Sequence, residues 1–183
     1  MSSQMAKRLC EAMQERVFVR FERKFEEHNI HGYVLDVGPK FFLLALVSDR
    51  LWFDGFEIFR IADIRKLRPD PFADFAERAL KLRNETMPEK PSVDLSGIDQ
   101  ILVSAASCFP LVTIHRETVD PEVCWIGKVV SVVKGKVDLL EIGPDAKWDD
   151  EPTVYRTSEI TRVNFGGDYE EALRLVSEND LGI

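Results

Sequence analysis

The chain lacks most of the features that reveal an activity directly. It has three histidines and three cysteines in 183 residues. Cys10, Cys108 and Cys124 are scattered and odd in number, which argues against a disulfide framework and fits thiols in a reducing cytoplasm. No apolar run reaches the roughly 18 residues a membrane helix needs, so no membrane span is expected. The opening "MSSQMAKRLCEAMQERV" has no apolar h-region, and no secretory signal is read there. There is no nucleophile elbow and no HExxH. "FGGDY" has two glycines but departs from the phosphate-loop and dinucleotide patterns, and reads as a bend into the final helix. Cys108, His115 and Cys124 lack tight ligand spacing and a fourth partner, so no metal is expected. His28 and His31 are three apart, on opposite faces of a strand or loosely together on a turn. No cofactor and no catalytic residue is expected.

What is present describes a globular chain. It is 45% hydrophobic and 31% charged, neither disordered nor fibrous in composition. The net charge of −8 argues against a general nucleic-acid binder, which needs Lys and Arg for phosphate contacts. That charge is uneven. Residues 1–83 hold 15 basic and 13 acidic side chains, and residues 84–183 hold the remaining 9 and 19, or about +2 against −10. An anion, if one binds, belongs to the first half.

The two halves repeat. Placing Gly32 on Gly127, an offset of 95, aligns Glu22 with Glu117, Val34 with Val129 and Leu44 with Leu139. One residue inserted in a turn makes the offset 96. Trp52 then aligns with Trp148, Asp54 with Asp150, Phe59 with Tyr155, Arg60 with Arg156 and Ile64 with Ile160. The period is too long for a solenoid unit and right for a small domain, so a tandem duplication is expected. Residues 1–83 form the first copy, 84–93 a polar linker with two prolines, and 94–183 the second copy.

Each copy opens with helical spacing, at Met5, Leu9, Ala12 and Met13 and again at Leu95, Ile98, Ile101 and Leu102, with Ser96 as a candidate N-cap. Runs rich in Val, Phe and Leu follow, broken at "GPK" and "KGK". "FDGF" offers an Asp-Gly hairpin turn before "FEIFRI". A second helix closes each copy. Asp70 and Pro71 start the first, with Phe72, Phe75, Ala79 and Leu80 as its apolar stripe. Asp168 and Glu171 cap the other, with Tyr169, Ala172, Leu173 and Val176 facing inward.

Helix, about five short antiparallel strands, then helix predicts a mainly β protein with flanking helices, each copy a small bent barrel. The order, with a glycine opening a long bent strand pair and an Arg-containing then an Ile-containing strand, resembles the Sm-like, SH3-type five-stranded barrel over 14–68 and 109–164. The closing "ITRVNFGGDYEEALRLV" is similar to a segment of bacterial proteins with no assigned activity. The Sm resemblance implies rings that bind RNA in loop pockets. The local residues depart from it: the bends "VGPKF" and "VKGKV" hold no Asn, and Arg60 and Arg156 precede Ile61 and Thr157 instead of Gly.

The candidate partner-binding residues are Trp52, Arg60, Arg65, Lys66, Arg68, Trp148 and Arg156. Each has a simpler structural account. The tryptophans close a barrel end or form an aromatic platform. Arg60 and Arg156 pair with a nearby acid, Asp54 or Asp150 for example, or hold a carboxylate or phosphate in a planar fork. Arg65, Lys66 and Arg68 make a solvated strand edge that resists aggregation, or an anion patch. The resulting expectation is a cytoplasmic, non-enzymatic interaction or scaffold module with a protein partner or self-association. Nucleic-acid binding through the first copy's basic strand is the alternative.

Overall fold

A computed structural model describes residues 2–26 and 28–180, and the chain divides into two compact units, 1–90 and 91–183. The first unit begins with helix α1 (Ser2–Gln14). Strands β1 (Phe18–Arg23), β2 (Ile30–Val37), β3 (Phe41–Val47) and β4 (Phe53–Arg60) follow. A short 3₁₀ turn (Ile61–Asp63) leads to β5 (Ile64–Pro69) and helix α2 (Ala73–Leu82). Strand order is β5-β1-β2-β3-β4, every pair antiparallel. Alternation along β1 sends Val19 and Phe21 to one side and Phe18, Arg20 and Glu22 to the other. The first side is the core: Phe21, Phe42 and Phe59 meet edge to face or tilted at 5.2–5.6 Å, and α1 covers them with Leu9 and Ala12. The second side carries Phe18, Tyr33 and Val47, covered by Ala76 and Leu80 of α2.

Gly32 is required by close approach. A Cβ there would lie 2.2 Å from the Ala45 carbonyl oxygen, and its φ of 159° is one L residues rarely adopt. The strand partner is kinked just beyond, where the β2–β3 register shifts between Val34 and Asp36.

The second unit runs in the same order. It comprises α3 (Ile98–Cys108), β6 (Val112–His115), β7 (Cys124–Val133), β8 (Lys136–Glu141) and β9 (Thr153–Arg156). A 3₁₀ turn (Thr157–Glu159), β10 (Arg162–Phe165) and α4 (Asp168–Asp180) complete it. Its strand order is β10-β6-β7-β8-β9. The equivalences extend to backbone detail. A Cβ on Gly127 would lie 2.2 Å from the Leu140 carbonyl oxygen, and the register shift falls between Val129 and Ser131, both 95 residues on. The two 3₁₀ turns are 96 apart.

Three expectations are corrected. The strands do not form two closed five-stranded barrels of Sm-like, SH3-type architecture: in each unit the five strands form an open antiparallel sheet, β5-β1-β2-β3-β4 in the first and β10-β6-β7-β8-β9 in the second. Among the described residues no ladder joins β4 to β5, and none joins β9 to β10. Periodicity and turn signals report strands and bends, but closure depends on whether the first and last edges meet, which no local pattern encodes. The β3–β4 reversal is not at Asp54-Gly55. It lies at 48–51, where the Leu51 amide donates to the Ser48 carbonyl (2.8 Å) and Leu51 takes a φ of 59°. Asp54 and Gly55 are inside β4, with Gly55 at φ 70° where the pairing with β3 shifts. Ser96 does not cap α3. The Ser96 amide donates to Asp94 Oδ1 (2.9 Å), and Gly97 precedes the helix without a side-chain cap.

The closing helices also turn differently. Ala76 and Leu80 are the buried pair of α2, while Phe72 and Phe75 are 68% and 65% exposed. In α4, Leu173 and Ser177 are buried and Tyr169, Ala172 and Val176 are exposed. Among the described residues no helix is long and apolar enough to cross a membrane.

Candidate functional site

The exposed phenylalanines of α2 mark a site in the first unit. Strand β1 is paired on both sides, Phe18 with Tyr33 of β2 and Val19 with Pro69 of β5, and the Phe18 carbonyl accepts the Asp70 amide at 2.9 Å. Through this register β1 brings His31 of β2 beside Asp70, which follows β5. His31 Nδ1 and Asp70 Oδ2 are 2.8 Å apart. The Asp70 side chain is 3% exposed and accepts a second hydrogen bond, from the Phe72 amide to Oδ1 (2.7 Å). An ionised carboxylate only accepts, so Nδ1 carries the proton and Nε2 is left for another group. The imidazole stacks loosely on Phe18, 6.2 Å between centroids.

Above this pair lies a cavity of about 340 Å³. Phe18, Val47, Leu51 and Ala76 give it apolar walls, Phe72 and Phe75 flank it, and Ser48, Asp49, His31 and Asp70 are its polar groups. An apolar hollow with a few convergent polar groups is what a bound side chain or small ligand requires. Among the described residues no hydrogen bond joins Ser48 to His31. The Ser48 hydroxyl turns to the Trp52 carbonyl (3.4 Å), and among the described residues His31 has Asp70 as its one hydrogen-bond partner.

The residues singled out from sequence are distributed elsewhere. Trp52 precedes β4 and is half-buried, with the guanidinium groups of Arg50 and Arg83 over its ring at 5.5 and 6.0 Å. Arg60 ends β4 and donates from Nε to the buried Asp63 (2.7 Å), which also takes Lys24 (2.7 Å). Lys66 and Arg68 share Glu22 of β1 at 3.6 and 3.5 Å. Arg65 is exposed, where the β1–β5 register shifts. Lys66 and Arg68 are thus brought together and Arg60 is not.

In the second unit Trp148 packs against Leu111, Ile142, Ala146 and Leu173, with Lys128 Nζ 4.5 Å from its ring. Arg156 is 74% exposed and 3.9 Å from Glu159. The tighter partner of Glu159 is Arg116, at 2.6 and 3.1 Å, and Arg116 also lies over Trp125 and Tyr155. Tyr155 donates to Glu141 (2.5 Å), and burial with that carboxylate pushes its phenol far above the usual value.

Sequence reasoning gave His31 no role, placing it on the opposite face of a strand from His28 or loosely with it on a turn, and took Asp70 for a helix cap alone. It placed Phe72 and Phe75 in the core. Among the described residues no group of three His, Cys, Asp or Glu side chains is disposed to hold a metal ion. No family model, curated protein or solved structure matches the chain.

Proposed function

We propose that the protein is a non-enzymatic interaction module whose first unit grips an apolar side chain of a partner protein in the hollow between α2 and the sheet. The observation that carries this reading is the pair Phe72 and Phe75, two large apolar side chains held in solvent on the first turns of a helix otherwise anchored by Ala76 and Leu80. Exposed aromatics beside an apolar pocket are what interface hot spots are built from. The His31–Asp70 pair serves this role by offering one open imidazole nitrogen to a donor on the incoming group. The free thiols fit a cytoplasmic setting for such a module. Direct RNA binding through β5 has less to work with, since Lys66 and Arg68 share Glu22, and Arg60 is held by Asp63.

The test is a nuclease-treated native pulldown of wild type beside a Phe72→Ser/Phe75→Ser double variant, with sedimentation of both. The proposal expects a protein partner, or self-association, that the double variant loses. Neither partner nor self-association in the wild type, or equal retention by the variant, overturns it.

A further inference from the structure

On the α2 side of the first unit's sheet, beside the hollow that His31 lines, three basic side chains stand in one row. Arg20 of β1 pairs directly with Arg68 of β5 and, on its other flank, with His31 of β2. Directly opposed residues in antiparallel strands project to the same face, so the two guanidinium groups share a surface. The next row along is Glu22 opposite Lys66. Two arginines facing each other across a ladder repel, and a fold gains nothing from that arrangement alone. Other arginines of this unit have acids close by, Arg23 at Glu26 and Arg60 at Asp63. Arg20 is different. Among the described residues its Nε is shielded from solvent and has no hydrogen-bond partner, and the same is true of Arg68 Nε, whose Nη2 reaches Glu22 only at 3.5 Å.

We infer that Arg20 and Arg68 form a binding site for a phosphoryl dianion. Guanidinium groups present planar donor forks that fit tetrahedral oxyanions, and the shielded Nε–H groups supply donors that water does not already satisfy. The local charge fits the dianion. Arg20, Arg68 and Lys66 against Glu22 leave two positive charges, and a phosphate monoester carries about −1.5 to −2 at neutral pH. A phosphodiester carries one charge per phosphate, so the row favours a terminal phosphate, as on a phosphorylated side chain, over a nucleic-acid backbone. With the ligand bound, Glu22 keeps Lys66 while the two forks close on the phosphoryl oxygens.

The experiment uses the full chain, titrated with O-phosphoserine and with inorganic phosphate at ionic strength matched by sodium chloride. The arginine Nε–Hε resonances are followed by NMR. Saturable shifts at Arg20 and Arg68 are expected, with affinity reduced about tenfold or more in Arg68→Gln and in Arg20→Gln, since each removes a charge-assisted fork. Arg65→Gln leaves the affinity unchanged. Without phosphate, Arg20→Gln leaves the thermal midpoint unchanged or raises it, because it relieves like-charge opposition; a structural arginine would lower it. Phe72→Ser/Phe75→Ser leaves the titration intact, so failure of the interaction reading and failure of this site are separable. No saturable shift, or undiminished affinity in both arginine variants, overturns the inference. So does an oligouridylate that binds more tightly than phosphoserine and depends on Arg65, which would make the strand a reader of nucleic-acid backbone.

Discussion

The placement of Phe72 and Phe75 outside the core can be tested through stability, by comparing Phe75→Ala with Leu80→Ala on the same helix. Leu80 is 5% exposed and packs with Phe18, Tyr33 and Val47, so its truncation opens a cavity and costs about 2–5 kcal/mol. Phe75 is 65% exposed, so only about a third of its surface leaves water. Full burial of a phenylalanine is worth about 1.5–3 kcal/mol, and a third of that is roughly 0.5–1 kcal/mol. Alanine returns part of this loss, because its helix propensity is better by a few tenths, about 0.5 kcal/mol. The net for Phe75→Ala is therefore between about zero and 0.5 kcal/mol, at least about 1.5 kcal/mol smaller than for Leu80→Ala. In urea, with a slope of about 2 kcal/mol/M, Leu80→Ala moves the midpoint of the first unit down by roughly 1 M or more, and Phe75→Ala moves it by no more than about 0.25 M. A buried phenylalanine would behave otherwise, costing about 3–5 kcal/mol on truncation. Equal midpoint losses in the two variants would refute the exposed placement and, with it, the surface on which the interaction reading rests.

Gly32→Ala and Gly127→Ala should each cost about 1–3 kcal/mol or more by denaturation, since the added methyl meets a backbone carbonyl that cannot move without breaking its ladder; a loss under about 1 kcal/mol at either position would contradict the close approach. Tyr33 is pushed up to about 12 by burial first and then by Glu77, to which its hydroxyl donates at 3.3 Å. Its neutral form is favoured by the fold, so that stability is complete below the unfolded phenol value near 10 and is lost as pH rises through about 12. Absorbance titration should show this late ionisation, and Glu77→Gln should bring it down. Asp63→Asn removes the acid that holds both Arg60 and Lys24; since those cations can regain water, the expected loss is about 1–3 kcal/mol, relieved in part by pairing it with Arg60→Gln in a double-mutant cycle.

Element order was readable because it depends on local period. Met5, Leu9, Ala12 and Met13 lie on one helical face whatever surrounds them, and the breaks at "GPK" and "KGK" mark bends in both halves. The equivalences at Gly32 and Gly127 were readable for a different reason: a repeated chain displays its own constraints twice. Three things were not. Asp54-Gly55 carries a strong hairpin signal, yet Gly55's positive φ is spent on an irregularity within β4, a use with the same letters. The α2 stripe could not say which of its apolar residues meet the sheet; small Ala76 allows the close approach, and that leaves Phe72 and Phe75 beyond the contact. The pairs His31–Asp70 and Arg20–Arg68 are 39 and 48 residues apart, and each exists only through the register of β1 with its two neighbours. Register of that range is a property of the assembled sheet.

The two oxygens of Asp70 make one more connection. Oδ1 holds the Phe72 amide at the start of α2, and Oδ2 holds the imidazole at the base of the hollow. The carboxylate is therefore a shared resource: a contact that tightens or rotates His31 also changes the hold on the helix that carries the two phenylalanines. Energetic coupling of this kind is reciprocal. Fraying of the first turn of α2 loosens the imidazole as surely as movement of the imidazole frays the turn, and amide exchange at Phe72 becomes a gauge of events at His31.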